Sequence, residues 1–274
     1  MQKLKNHVVE KISGLLSKNI IIYKLCKEVI KRRDNDSNGN MNTNGETRLL
    51  RYLLTNNLLD VVFDVGANVG HYFSIVVDHS ENIKVYAFEP GLGNLSILSE
   101  RFADHKNVSL IPKALSNVEG ELSYFQNLNS DSSGLNSVYD MREIGYFEQT
   151  EKLTVNAVTL DNFCETNKIE KINLMKIDVE GHELAVLLGG ELMLKNKRID
   201  YIQFEFGHAA RCARVFLYDI DKFMKANNYH LFVVKPKGLE RFAYSPFEEN
   251  KYSLINFFAA TDEAIPQIKN IILP

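Results

Sequence analysis

The sequence predicts a doubly wound α/β domain with a mostly parallel sheet, carried behind an N-terminal helical extension. Three observations predict it. From Leu58 onward, short apolar runs of strand length alternate with amphipathic runs of helix length, a pattern that gives parallel strands joined by right-handed crossovers. A glycine-rich turn at Gly66 follows the first apolar run directly. Charged residues gather where the apolar runs end, the edge at which open α/β sheets bind ligands.

The elements follow in order. Residues 3–33 read as helical, with Leu4, Val8, Ile12, Leu15 and Leu16, then Ile20, Leu25 and Val29, at helical spacing. Three roles compete for this extension: a helix packed on the domain ranks first and a homodimerisation helix second. A basic helix lying on a membrane ranks last, because Glu10 and Glu28 dilute its positive charge. Residues 34–45 are rich in Asn, Asp and Gly and form a polar linker, so the chain divides into residues 1–45 and a main domain over 46–274. A helix over 47–59 precedes the first core strand at 59–65. Helix 72–79, strand 83–88, helix 95–102 and strand 108–115 come next. A strand at 120–125 leads into residues 127–150, a loop rich in Asn, Ser and Asp whose length marks function or disorder. Strand 153–160 follows, with Asp161 as the cap of the next helix. Strand 172–178, helix 181–194, strand 199–206, helix 217–227 and strands 229–234 and 253–260 complete the domain.

Composition narrows the function. The 274 residues are 45% hydrophobic, enough for one large core. A net charge of -3 and a pI near 6.2 give no electrostatic case for nucleic acid as a partner. Cys26, Cys164 and Cys212 lie far apart with no CxxC pair, which argues against a disulfide framework or zinc knuckle and for a reducing compartment. No apolar stretch approaches the roughly 18 residues of a membrane span, and no cleavable leader pattern is visible. The expectation is a cytoplasmic protein without a transmembrane segment.

Five clusters carry chemistry. In Phe63-Asp64-Val65-Gly66-Ala67-Asn68-Val69-Gly70, Gly66 lets the backbone turn sharply and Gly70 permits close approach of a ligand at a helix N-terminus. The spacing is GxxxG, so the dinucleotide fingerprint GxGxxG fails; Asp64 suits a positively charged ligand or orders the loop. Glu89, about twenty residues past Gly70, ends the second strand, where a carboxylate accepts hydrogen bonds from ribose hydroxyls, and Pro90 stops that strand and fixes its turn. Ala114 ends the third strand, small enough for a flat ring to lie against the backbone. Lys176-Ile177-Asp178-Val179-Glu180-Gly181-His182-Glu183 sets three carboxylates and a histidine at one strand end; Lys176 reads as an ordinary strand lysine and Glu183 as a helix-dipole partner. Glu205 is flanked by aromatics at another strand end, where an acid is costly unless paired or functional, and His208 follows it as a candidate base.

At these clusters the chain resembles the FkbM family of methyltransferases, within the class I methyltransferase superfamily. The matching pieces are Asn44-Gly45-Glu46, Val62 to Gly70, Phe88-Glu89-Pro90, Ala114-Leu115-Ser116 with Gly120, Val158-Thr159-Leu160-Asp161, Lys176 to Glu183, and Glu205. They span about 44–207. The resemblance implies a Rossmann-like fold and transfer of a methyl group from S-adenosylmethionine to an oxygen of a small molecule or glycan, a sugar hydroxyl above all. It implies Asp64, Gly66, Asn68 and Gly70 around the methionine end of the cofactor, Glu89 at the ribose, Ala114 near the adenine, Asp178 bordering the transfer site and Glu46 closing the pocket. For the general base His182, Glu180, Glu205 and His208 compete; the reading favours His182 or His208, with Asp178 orienting the acceptor or binding a cation. Asp178, Glu180 and Glu205 also suit Mg²⁺ as hard oxygen ligands, an alternative ranked below a metal-free site. A non-catalytic scaffold of the same fold is the runner-up, a nicotinamide oxidoreductase is disfavoured by the missing GxGxxG, and an amino-group methyltransferase by the missing Asn/Asp-Pro-Pro-Tyr/Phe motif.

Overall fold

The structure is a computed structural model that describes residues 11–14, 16–128, 134–145, 148–246 and 254–274. In chain order its strands are β1 (Val61–Val65), β2 (Lys84–Phe88), β3 (Val108–Ile111), β4 (Ala114–Leu115), β5 (Gly120–Asn127), β6 (Thr150–Val158), β7 (Ile172–Ile177), β8 (Ile199–Phe206), β9 (Tyr229–Lys235), β10 (Gly238–Arg241) and β11 (Ile255–Thr261). Helices α1 (Ile20–Asp34), α2 (Met41–Asn44) and α3 (Glu46–Thr55) precede the sheet; α4 (His71–His79), α5 (Leu92–Arg101), α6 (Leu160–Thr166), α7 (Glu183–Leu188), α8 (Glu191–Lys195), α9 (Ala210–Ala213), α10 (Leu217–Ala226) and α11 (Ile265–Ile268) connect or follow its strands.

The main sheet has eight strands in the order β10-β9-β11-β8-β7-β1-β2-β3. β3, β2, β1, β7 and β8 run parallel, and β11, β9 and β10 add antiparallel pairs at one end. The chain winds outward from β1 through β2 to β3, then returns to β7 beside β1 and winds the other way. Strand order therefore reverses between β1 and β7, and a crevice opens there at the carboxyl ends of the strands. This is the doubly wound, Rossmann-like architecture expected of the sequence.

Strand alternation assigns each face its side chains. Phe63 and Val65 pack into the core that also holds Phe88 and Phe163, with the Phe63 ring 5.4 Å from Phe88 and 5.9 Å from Phe163. Val62, Leu174, Tyr201 and Phe258 enter the opposite core, beneath Leu50 and Leu53 of α3 and Phe73 of α4. Two residues further along the same face come Asp64 after Val62, Lys176 after Leu174, and Gln203 and Glu205 after Tyr201. Asp64 stands opposite Lys176 and Lys176 opposite Gln203. A hydrophobic layer thus gives way to a polar one near the crevice.

Several expected elements change. The strand over 108–115 ends at Ile111; after Pro112 and Lys113, Ala114 and Leu115 join β6 in a separate three-stranded sheet of order β4-β6-β5. The helix over 181–194 breaks at Gly189-Gly190, where the chain runs so close to Ser116 that a Cβ at 189 would lie 2.0 Å from its carbonyl oxygen. Asp161 caps the second piece, α8, by accepting the N–H groups of Leu192 and Met193 at 2.9 Å; Thr159 caps α6. The linker folds in part: Asn44 is buried beside Glu46. β10 is an extra strand that the sequence pattern did not reveal. No residue of α1 is buried, so the expected packing helix projects from the domain; Leu4, Val8 and Leu15 lie outside the described residues.

Candidate active site

The turn after β1 and the turn after β7 meet at the switch point. Gly66 has φ +84, and a Cβ there would sit 1.9 Å from the Asp178 carbonyl oxygen. The glycine therefore serves backbone contact between the two turns. Gly70, also left-handed at φ +80, makes room for the side chains of Phe102, Leu98 and Phe73. Its missing side chain lets α4 pack against Leu98 of α5 and the Phe102 that follows it.

The crevice itself is bounded by Gly66, Asn68, Glu89, Pro90, Ala114, Tyr124, Asn136, Ser137, Asp178 and His182, among others. Glu89 is buried on its floor. One carboxylate oxygen accepts the Asn68 N–H at 2.9 Å, and the other accepts the Gly91 N–H at 2.8 Å and the Tyr124 hydroxyl at 3.4 Å. Burial pushes Glu89 up to about 7 in spite of these donors. Asn68 holds a left-handed φ of +48, and its Oδ1 is buried with no hydrogen-bond partner among the described residues. Oδ2 of Asp64 is in the same condition, and burial pushes Asp64 up to about 7. Asn68 lines the crevice and Asp64 lies buried behind it; an orphaned acceptor in that lining calls for a ligand that brings donors or positive charge. An α-ammonium group and a sulfonium meet that demand, so these residues fit S-adenosylmethionine.

Behind the crevice lies a buried ion cluster. Lys176 Nζ sits 3.2 Å from Glu46 and 3.4 Å from Asp178, and donates to Asn256 Oδ1 at 3.2 Å. Burial opposes its charge, yet Asp178, Glu46 and Glu205 hold its pKa well above the ordinary lysine value. Glu46 also accepts from Gln203 Nε2 at 2.6 Å and from Asn44 Nδ2 at 2.5 Å, and the Tyr72 hydroxyl donates to Gln203 at 2.8 Å. Glu46 thus lines neither the crevice nor the cavity next to it. It anchors Lys176 instead of closing the pocket. Lys176, read from sequence as an ordinary strand lysine, is the counter-ion of the whole edge.

The small adjoining cavity is lined by Leu135, Met141, Glu180, Gly181, Glu183, Glu205, Gly207, His208, Ala209 and Leu254. Carboxylate oxygens of Asp178, Glu180 and Glu205 lie within 4.8 Å of one another. Burial, and then the charge of Asp178, raises both Glu180 and Glu205 well above the usual carboxylate range. Glu180 adopts φ +52, a costly conformation for a side-chain-bearing residue that is found at functional sites. Glu183 lines this cavity and accepts the Gly181 N–H at 3.1 Å, and burial pushes it up to about 7. His208 lies here too, its pKa lowered by burial and then by Arg211.

His182 differs from the expected base. Its Nε2 lies 2.9 Å from Ser116 Oγ and its Nδ1 3.1 Å from the Tyr139 hydroxyl. Burial pulls its pKa down to about 4. Both ring nitrogens are engaged, so His182 holds Tyr139 in place. The Ser137 hydroxyl donates to the Glu180 carbonyl at 2.7 Å in the same stretch. Residues 134–141 therefore strap both cavities. Tyr124, Asn136, Ser137 and Tyr139 were not singled out one by one from sequence; their one signal was the polar, aromatic composition of 124–150.

The profile of the family described as "Methyltransferase FkbM domain" matches residues 64–231. Hexuronic acid methyltransferase AglP of Haloferax volcanii is 29% identical over 166 residues, 60% of this chain and 64% of that protein. The 31-O-demethyl-FK506 methyltransferase FkbM of Streptomyces tacrolimicus is 26% identical over 155 residues, 48% of this chain and 60% of that protein. The chain thus spans less than two thirds of either relative. Among solved structures, precorrin-6y C5,15-methyltransferase of Geobacter metallireducens superposes with TM-score 0.41 at 10% identity, over 77% of this chain and 87% of that one. The methyltransferase domain of bacterial CtHen1-C gives 0.42 at 10% identity, over 81% and 100%. Such scores add nothing to what the sheet order shows.

Two stability predictions follow from the buried charges. Lys176→Met strands Glu46 and Asp178 without their cation and is expected to cost about 3–5 kcal/mol, read by urea unfolding; a loss under about 1 kcal/mol would mean that the cluster is solvated. Asp64, Glu89 and Glu183 have folded pKa values of about 7, above their unfolded ones. Their contribution is complete below the unfolded values and is lost as pH rises through about 7. His182, depressed to about 4, acts in the opposite sense only below its unfolded value. Above that value, the melting temperature of the cofactor-free protein is expected to fall towards pH 8, and Glu89→Gln to flatten the fall.

Proposed function

From a chain that belongs to the FkbM methyltransferase domain family, we propose an enzyme that transfers the methyl group of S-adenosylmethionine to a hydroxyl of a sugar or sugar-like acceptor. The observation that carries this reading is the pair of adjoining cavities at the switch point, one with orphaned acceptors and a ribose-competent carboxylate, the other walled by raised carboxyls. The names of the two relatives, a hexuronic acid methyltransferase and an O-demethyl-FK506 methyltransferase, support an oxygen acceptor.

Glu89 would hold the ribose hydroxyls, Ala114 would lie beside the adenine, and Asn68 with Asp64 would face the methionine end. S-adenosylmethionine, when bound, supplies a methyl group already activated by a sulfonium charge. The rest is placement, because two bound reactants behave as one. Asp178 borders the first cavity, and its carboxylate reaches the Glu180–Glu205 pair of the second. The acceptor would approach from the side of the second cavity, and its hydroxyl would give up its proton to a carboxylate oxygen of that pair. A carboxyl with a raised pKa is a stronger base than an ordinary one. Lys176 already lies 3.4 Å from Asp178, so the three carboxylates have a resident cation, and a shared proton accounts for their proximity without Mg²⁺. His182, with both nitrogens engaged, positions the strap.

Calorimetry with S-adenosylhomocysteine tests the first half. Glu89→Ala is expected to weaken binding by at least about tenfold, the loss of one charged hydrogen-bonding group. A folded wild-type protein that binds nothing would end the methyltransferase reading. Glu205→Gln tests the second half. It is expected to lower kcat by about 10²–10⁴-fold while leaving S-adenosylhomocysteine affinity unchanged. A small effect on kcat in Glu205→Gln and Glu180→Gln alike would move the base elsewhere. Recovery of activity by Mg²⁺ after exhaustive chelation would assign the three carboxylates to a metal.

A further inference from the structure

α1 is the element that neither the fold nor the site uses. Asn19 caps it by accepting the Ile21 and Ile22 N–H groups at 2.9 and 3.3 Å, so it is a built helix. Its apolar side chains nonetheless face solvent: Ile21 is 73% exposed, Leu25 61% and Val29 57%. At about 100° per residue, Ile21, Ile22, Leu25, Cys26, Val29 and Ile30 share one arc, which Arg32 and Arg33 interrupt, and Lys24, Lys27 and Lys31 occupy the opposite one together with Ile20. Residues 18–34 hold six Lys or Arg against Glu28 and Asp34, in a chain whose net charge is -3. No described helix is long and apolar enough to cross a membrane.

We propose that α1 is an interfacial helix that docks the protein on an anionic lipid surface, with Ile21, Leu25 and Val29 in the acyl boundary and the lysines at the phosphates. An exposed apolar arc joined to a strongly basic one is what such a surface takes up. A second copy of this helix fits less well. Arg33 falls within the apolar arc, and in a self-pair its guanidinium would meet apolar surface and like charge. A lipid phosphate gives it a partner, and Arg32 already pairs with Glu28 at 2.8 Å. Among the described residues, the C-terminal turns of the helix meet the domain, where Ile30 and Arg33 line a cavity with Val233, Phe242 and Phe257. Lys235 Nζ donates to the Asp34 carbonyl at 3.0 Å, and the Ser37 N–H donates to the Leu254 carbonyl at 2.9 Å. The side chains of its first turns are exposed to such a surface.

Flotation of the full chain with vesicles tests this. Binding is expected to vesicles of phosphatidylglycerol in phosphatidylcholine and not to phosphatidylcholine alone, and it should weaken at high salt. Replacing Lys24, Lys27 and Lys31 by Gln is expected to cost about fivefold in partition per lysine, and Leu25→Asp to abolish binding. S-adenosylhomocysteine affinity, measured on each variant, reports that the domain is folded and is expected not to change. Absence of binding at saturating anionic lipid, or equal binding to neutral vesicles, would overturn the proposal. So would light scattering that shows a stable dimer in solution dissociated by Leu25→Asp.

Discussion

One buried ammonium, that of Lys176, organises the carboxyl edge of the sheet. Four strands deliver polar side chains to that edge in register, and α3 adds Glu46 from above. Without a cation, so many acids in a dry layer would neutralise themselves by taking up protons. With it, Glu46 and Asp178 are paired, Gln203 and Tyr72 are drawn into the same hydrogen-bonded chain, and α3 is pinned over β7 and β8. A buried pair of this kind adds little net stability over a hydrophobic substitute. What it fixes is position.

That fixed position sets the chemistry on either side. Asp178 is tied to Lys176, and its backbone presses against Gly66. The turns after β1 and β7 are therefore held as one unit, and the orphaned acceptors of Asp64 and Asn68 stay where a ligand would have to meet them. On the far side, burial and then the charge of Asp178 raise the pKa values of Glu180 and Glu205.

Much of this was legible in the sequence, for reasons that can be named. β1 and β7 are buried on both faces and read as apolar runs, and Gly66 and Glu89 stand at strand ends where spacing alone marks them. The crevice residues Asp178, Pro90 and Ala114 followed from the same logic. What could not be read was contact between distant segments. Lys176 looks like any strand lysine until Glu46, 130 positions earlier, is placed above it. His182 looks like a free base until Ser116 and Tyr139 take its two nitrogens. The packing of Phe102 into the space left by the missing side chain of Gly70 is equally hidden. The break at Gly189 depends on the path of Ser116, from a different sheet. Periodicity reports burial and the ends of elements; it carries no information on which end meets which.

The strap over 134–141 serves two compartments at once. Asn136 and Ser137 wall the first cavity while Leu135 and Met141 wall the second, and a single hydrogen-bonded stretch joins them through Tyr139 to His182. Neither compartment has a roof of its own. A ligand held in one compartment therefore bears on the same segment that bounds the other.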